Sequence, residues 1–472
     1  MIFHSLDFIA FFIAFVAVYW VLPRRAQNVL LLAGSYFFYG YVHPWFLILI
    51  ASSTVIDYVA ARGMVARPEQ RQRFLWMSVI SNFGMLGFFK YFNFFAENVA
   101  GVFRAAGVDV SEPTLRILLP VGISFYTFQA MSYTIDVYKG ELRARRSLLD
   151  LAVFISFFPH LVAGPIQRAS YLLPQVEGRR RFVAEKARTG FVLICWGFFK
   201  KLVIADNVGV IANKVFALGD PTFYILWAGV FAFAIQIYAD FSAYTDIARG
   251  TSRWLGFELT QNFDHPYLAR NPADFWRRWN ISLSSWFRDY VYIPLGGSRG
   301  GRAMWIRNVM VTFLLSGFWH GASWNYVLWG FYHGVLLVLT GRGGSRSSSQ
   351  ATWWRTIPQV AGMFALTLIG WLLFRETELS AIVRDLRLSP FGVSGLDRQT
   401  GLYLFLLAFL YSIPLWVQSA WVELTRQEPV APEPALPRWP TLALQGLACG
   451  VAFAAILVLR SRTSLDFIYF QF

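Results

Sequence analysis

What most limits the folds open to this chain is a succession of apolar segments, at residues 8–22, 29–42, 45–61, 74–95, 115–138, 189–212, 223–248, 360–374, 400–421 and 442–459. Most of them can cross a hydrocarbon layer of ~30 Å as helices of roughly 17 to 25 residues. Within that layer a helix satisfies its own backbone polar groups, so the pattern predicts an all-α polytopic membrane protein. About 10–12 transmembrane helices are expected, with re-entrant and interfacial helices beside them. Composition agrees: 15% of the residues are charged and 56% hydrophobic, against roughly 25% charged in a soluble domain.

Two further apolar stretches do not fit a simple span. Residues 151–166 contain Pro159, Gly164 and Pro165 and run into Arg168, Arg179, Arg180, Arg181, Lys186 and Arg188, which suits a segment that enters the membrane and returns. Residues 309–340 are too long for one straight helix and carry Gly317, Gly321 and Gly330. A tilted helix, a broken helix and a hairpin are all open there. His320 lies near the expected break. An ionisable side chain at that depth is costly and marks a functional site by default, the plain alternative being a histidine packed between helices with both nitrogens satisfied.

The net charge of +15 comes mostly from loop arginines, which reads as cytoplasmic loop bias and gives no sign of a nucleic-acid partner. Arg24 and Arg25 follow the first apolar segment and no Lys or Arg precedes it, so the N-terminus is expected outside. Ten crossings return the C-terminus to the same side, although Arg460 and Arg462 and the non-basic stretch 423–440 run against that rule. The first segment lacks a basic leader and a small-residue cleavage site, so it reads as a retained helix. Cys195 and Cys449 stand alone in apolar stretches, which excludes a disulfide framework or a CxxC metal site; no metal is expected.

Residues 262–300 are the most unusual segment. Asn271-Pro272-Ala273-Asp274 opens a helix, with asparagine as cap and proline in the first turn. Trp279, Leu283, Trp286 and Tyr290 then recur at helical spacing beside Arg277, Arg278 and Arg288. That pattern predicts an interfacial helix with aromatic anchors and with arginines toward phosphates, of lipid headgroups or of a carrier such as coenzyme A. Gly296-Gly297-Ser298-Arg299-Gly300 fits a GxSxG nucleophile elbow in letters only, since a helix and a proline precede it where a strand is required.

Asp240 and Asp246, interleaved with Ser242 and Tyr244, close the run 223–248. Six positions apart, they point in different directions around a helix, which suits tunnel lining or structural hydrogen bonds better than a catalytic dyad. Lys200 and Lys201 interrupt another apolar run and are expected to snorkel to an interface. One functional class consistent with these groups is a transporter with a proton or ion path through Asp240, Asp246 and His320. The other is an enzyme.

Five blocks in order favour the enzyme: Phe157-Phe158-Pro159-His160-Leu161-Val162-Ala163-Gly164-Pro165, Asp240-Phe241-Ser242-Ala243-Tyr244-Thr245-Asp246, Phe275-Trp276-Arg277-Arg278-Trp279-Asn280-Ile281-Ser282-Leu283-Ser284, Trp319-His320-Gly321-Ala322, and Phe467-Ile468-Tyr469-Phe470-Gln471-Phe472. Through them the sequence resembles the membrane-bound O-acyltransferase family over nearly its whole length. It is most similar to the bacterial branch that acetylates alginate, other exopolysaccharides or peptidoglycan. The resemblance implies a single membrane-embedded domain, 1–472, with a catalytic core segment at 262–340.

By that resemblance His320 takes the place of the family's histidine, and Asn280 that of a second polar residue, His, Asn or Asp, about forty positions earlier. The alginate-type pattern has histidine there, so Asn280 departs from it. The chemistry suits the residues: acyl transfer from a thioester to a hydroxyl needs a base, which a neutral imidazole supplies, and a donor for the developing oxyanion. The resemblance further implies an acyl-thioester donor, acetyl-CoA or an acyl carrier, as substrate with no tightly bound cofactor. Trp279 and the arginines are assigned to the donor or tunnel region; for His160, in the segment expected to enter and return, lining of the donor entry and a structural role are both open.

Implied partners are membrane lipids and an extracytoplasmic acetyltransferase of the SGNH type, and the implied location is the bacterial inner membrane. The acceptor is expected to be an alginate- or cellulose-like exopolysaccharide, with peptidoglycan or teichoic acid (D-alanine as the acyl group) as alternatives. In the C-terminal motif at 464–472, Tyr469 resembles a tyrosine that relays the acyl group.

Overall fold

The computed structural model describes residues 1–108, 110, 115, 118–341, 353–425, 439–463 and 465–468. Their regular structure is helical, with no strand among the described residues. Among the described residues, five helices are by themselves long and apolar enough to cross a membrane: Phe46–Ala66, Phe223–Trp254, Thr356–Arg375, Gly395–Thr425 and Pro440–Leu459. The chain is thus a multi-pass membrane protein.

The remaining apolar segments are built from shorter or interrupted helices. Arg71–Leu86 passes through a π-helical turn, Gly87–Tyr91, into Phe92–Ala105, and Ala184–Phe199 passes through another, Lys200–Ala205, into Asp206–Phe216. A π-helical turn widens the coil by one residue and turns side chains to a new face, a device common at functional sites.

The chain divides into two compact units, Met1–Phe191 with Ala248–Thr260, and Val192–Ile247 with Gln261–Phe472. In the first, the segment expected to enter and return consists of two short helices, Leu148–Ser156 and Phe158–Leu161. The Ser147 hydroxyl caps the first by accepting from the Asp150 N–H, and Pro159 stands in the opening turn of the second. Neither could span a bilayer, and irregular backbone survives at membrane depth only where protein covers it. That condition holds, because residues 151 to 167 are buried throughout.

In the second unit the alternatives left open for residues 309–340 resolve to a hairpin, Arg302–His320 and Trp324–Thr340. Gly317 and Gly330 let the two backbones touch. A Cβ on Gly317 would stand 2.2 Å from the Tyr326 carbonyl oxygen, and one on Gly330 2.3 Å from that of Phe313. Small residues serve membrane helix pairs in this way. His320 is the last residue of the first helix, at the break.

The expected interfacial helix is corrected. The Asn271 cap is present, its Oδ1 accepting from the Asp274 N–H at 2.9 Å, but the chain forms two short helices, Pro272–Arg278 and Ile281–Phe287, and a π-helical turn, Arg288–Tyr292. Trp279, Leu283 and Trp286 are buried side chains and not interfacial anchors. The reason is the backbone of Asn280, which leaves the right-handed region between the two helices.

Candidate active site

Asn280 sits at φ 41°, ψ 56°, a left-handed conformation that asparagine tolerates better than most residues yet that still costs on the order of 1–3 kcal/mol. It occupies the cap position of Ile281–Phe287 without capping it. The Asn262 Oδ1 does that work, accepting from the Ser282 N–H at 3.2 Å. The Asn280 side chain is released from the usual duty of a cap asparagine. It is 1% exposed, and neither its Oδ1 nor its Nδ2 has a hydrogen-bond partner among the described residues. Burying an amide unpaired costs about 1–3 kcal/mol, so strain and desolvation coincide at one residue.

His320 is 6% exposed and held in an aromatic cage. Trp319, Trp329 and Phe374 stand 5.0, 5.0 and 5.2 Å from its ring centre, all near edge-on. The cage is fixed from outside by Asn325, whose amide donates to the carbonyls of Leu373 and Phe374. A chain of rings leads from His320 to the residue before Asn280: Phe374 contacts Trp371 at 5.7 Å, and Trp371 contacts Trp279 at 4.8 Å.

Sequence reasoning gave Trp329 and Trp276 no role of their own and could not read how His333, thirteen positions after His320, is oriented toward it. His333 packs at 4.8 Å on the same Trp329 that touches His320. Trp276 lies 5.6 Å from Trp329, and the indole N–H groups of Trp276 and Trp329 are buried without a partner among the described residues. The spacing of four between Trp329 and His333 puts both on one helix face. That signal was present, but only the hairpin turns the face toward His320.

Beyond Trp276 opens a cavity of about 540 Å³ whose walls include Ile281, Ser284, Trp305 and Phe313, with Arg277 and Arg288 among its lining residues. Both guanidinium groups are largely exposed, although each also approaches one carboxylate, Asp274 or Asp289. Arg278 does not share this position. It is buried and divided between Asp274 and Glu423, each at 3.2 Å, because a guanidinium turned inward by the short helix must be paired to be tolerated.

The lysines expected to snorkel are instead buried and paired. Lys200 reaches Asp246 and the Ser242 hydroxyl, both at 2.8 Å. Lys201 bridges Asp206 at 2.8 Å and Asp240 at 3.1 Å. The π-helical turn lets consecutive lysines both face Phe223–Trp254, and the six-residue spacing gives each aspartate its own cation.

The Lys201 ammonium also donates to the Leu465 carbonyl at 2.9 Å, and the Ile468 N–H donates to Asp240 at 2.7 Å. Phe467 packs on Tyr244 and Phe241. Asp240 and Tyr244 therefore hold the C-terminal segment, and Tyr469 lies outside the described residues. Lys201→Met leaves two buried carboxylates without a cation, and breaking such a pair costs about 3–5 kcal/mol. A marked fall in melting temperature in detergent is expected; an unchanged one would show that the ion cluster does not hold the fold.

His160 belongs to the first unit. Its Nε2–H donates to the side-chain Oε1 of Gln129 at 2.9 Å, and the Gln129 Nε2 donates to the Phe154 backbone carbonyl at 2.5 Å. Ser298 lies in a turn where Gly296, Gly297 and Gly300 have positive φ.

Comparison with known proteins places the chain in a family. Residues 74–373 match the model of the membrane-bound O-acyltransferase family. "Probable alginate O-acetylase AlgI" of Azotobacter vinelandii is 40% identical over 81% of this chain and 77% of its own length. Its namesake in Pseudomonas aeruginosa is 36% identical over 100% of both chains. The "Peptidoglycan O-acetyltransferase" of Helicobacter pylori is 33% identical over 80% of this chain and 77% of its own length. The chain is an O-acyltransferase and belongs to the membrane-bound O-acyltransferase family.

Proposed function

We propose that this enzyme takes an acetyl group from a cytoplasmic thioester and passes it across the inner membrane for O-acetylation of an extracytoplasmic polysaccharide, as the names of its relatives suggest. His320 is the general base that takes the hydroxyl proton. The Asn280 amide, with the indole N–H groups of Trp276 and Trp329 as further donors, stabilises the oxyanion that forms as the hydroxyl oxygen adds to the thioester carbonyl and that collapses when the C–S bond breaks, the proton on His320 passing to the departing thiolate. Preorganised donors in a dry site act without reorganising when the charge develops.

The observation that carries this reading is Asn280: a strained, buried amide with both polar atoms unpartnered among the described residues, in the unit that cages His320. A fold retains such a cost where the group acts on a substrate.

The cavity beside Trp276 receives the acyl and pantetheine part of the donor, and Arg277 and Arg288 meet its phosphates. Both termini are extracytoplasmic, and a secreted acetyltransferase of the SGNH type receives the acyl group. Supplying the purified enzyme in nanodiscs with acetyl thioester and measuring thiol release tests the donor half. Arg277→Glu with Arg288→Glu should raise the apparent donor KM more than it lowers kcat; an unchanged donor KM would exclude the arginines from donor binding. Mass spectrometry of polymers from a deletion strain tests the acceptor, since acetyl missing from peptidoglycan instead of a secreted polysaccharide would redirect the assignment.

A further inference from the structure

Away from the catalytic hairpin, the second unit carries a groove of about 680 Å³ whose apolar wall includes Ile211, Leu218, Leu404, Leu407 and Val458. Its rim carries three cations, Lys214, Arg460 and Arg462, with the hydroxyl residues Ser461 and Thr463 beside them. All three cations are exposed, and none makes an ion pair among the described residues, in contrast to the buried lysines of the same unit.

The backbone that presents the two arginines is pinned. The Leu459 carbonyl accepts from the Asn207 amide at 2.9 Å, the Ser461 N–H donates to the Leu202 carbonyl at 3.4 Å, and Lys201 holds the Leu465 carbonyl. The helix leading into this segment, Pro440–Leu459, buries none of its apolar window among the described residues, and an apolar face of that length is suited to hydrocarbon chains.

We infer that this groove is the seat of an anionic glycerophospholipid, with an acyl chain along the apolar wall and the phosphate among Lys214, Arg460 and Arg462. A fixed cluster of unpaired cations at the end of a lipid-facing helix, above an apolar channel, is complementary to that ligand at both of its ends. Two of the cations follow directly on the lipid-facing helix and precede the segment clamped by Lys201 and Asp240, so the lipid braces the chain next to the C-terminal motif. This inference does not depend on the proposed catalytic roles.

Native mass spectrometry of the full chain, released from nanodiscs of phosphatidylglycerol mixed with phosphatidylcholine, tests it. The enzyme should retain phosphatidylglycerol selectively, and Lys214→Gln/Arg460→Gln/Arg462→Gln should weaken that retention by at least about tenfold. Arg460→Lys/Arg462→Lys, which preserves the charge, should retain the lipid. Leu407→Trp, which fills the channel with the cations intact, should lose it. A melting temperature in pure detergent equal to wild type establishes that each variant is folded; if the triple variant does not fold, the lysine and tryptophan variants decide. Equal retention of both lipids, or selective retention undiminished by Leu407→Trp, would overturn the inference.

Discussion

Replacing His320 by alanine should abolish acyl transfer while leaving the protein inserted and folded. The ring lies at the hairpin break in a cage of aromatic side chains, and its removal leaves a pocket walled by rings that support one another through Trp329 and Phe374. Loss of a positioned general base typically costs about 10²- to 10⁴-fold. The measurement is thioester consumption by purified protein, with melting temperature as the folding control. A variant that keeps more than about a tenth of the wild-type turnover would remove the base from the mechanism, given that scale of effect. Asn280→Ala should be milder, because other donors remain. Asn280→His should keep partial activity, and its complete loss would mark the asparagine as a dedicated oxyanion donor or packing residue.

Tyr469→Phe should eliminate acylation of the polymer. The proposed relay forms an ester between the tyrosine oxygen and the acyl carbon, breaks the C–S bond, and sends the phenolic proton by way of His320 to the departing thiolate. A second acyl transfer to the secreted acetyltransferase then releases the tyrosine. One transfer across a ~30 Å barrier becomes two short ones. Support comes from the residues just before it: Leu465 and Ile468 are held by Lys201 and Asp240, and Phe467 is stacked against Tyr244. The substitution removes one oxygen and little volume, so protein level and partner association should persist. Normal polymer acylation by the phenylalanine variant would reduce the tail to a docking segment.

Much of the architecture was legible in the sequence because it follows from local properties. Apolar runs identify membrane segments, since the cost of burying unpaired backbone in hydrocarbon leaves helices as the solution. Gly317, Gly321 and Gly330 marked an interruption, and the structure places the hairpin turn between His320 and Trp324. Asn271 and Pro272 announced a helix start that is present. His320 stood out because charge at membrane depth is expensive wherever the neighbours lie.

Other features needed the tertiary structure. Hydropathy scores transfer out of water, and lipid and protein interior are both apolar, so it cannot tell Phe223–Trp254, with 89% of its apolar window buried inside the protein, from Pro440–Leu459, with 0%. Nor could spacing show that Lys200 and Lys201 meet Asp246 and Asp240 some forty residues away, because a π-helical turn changes the face they present. The helical period running through Trp279, Leu283 and Trp286 concealed the left-handed Asn280 between two short helices. Residue identities and local period determined the membrane class, the helix starts and the histidine; the pairing of distant side chains decided which cations are spent on the fold, which stay available to phosphates, and where an amide could be left buried without a partner.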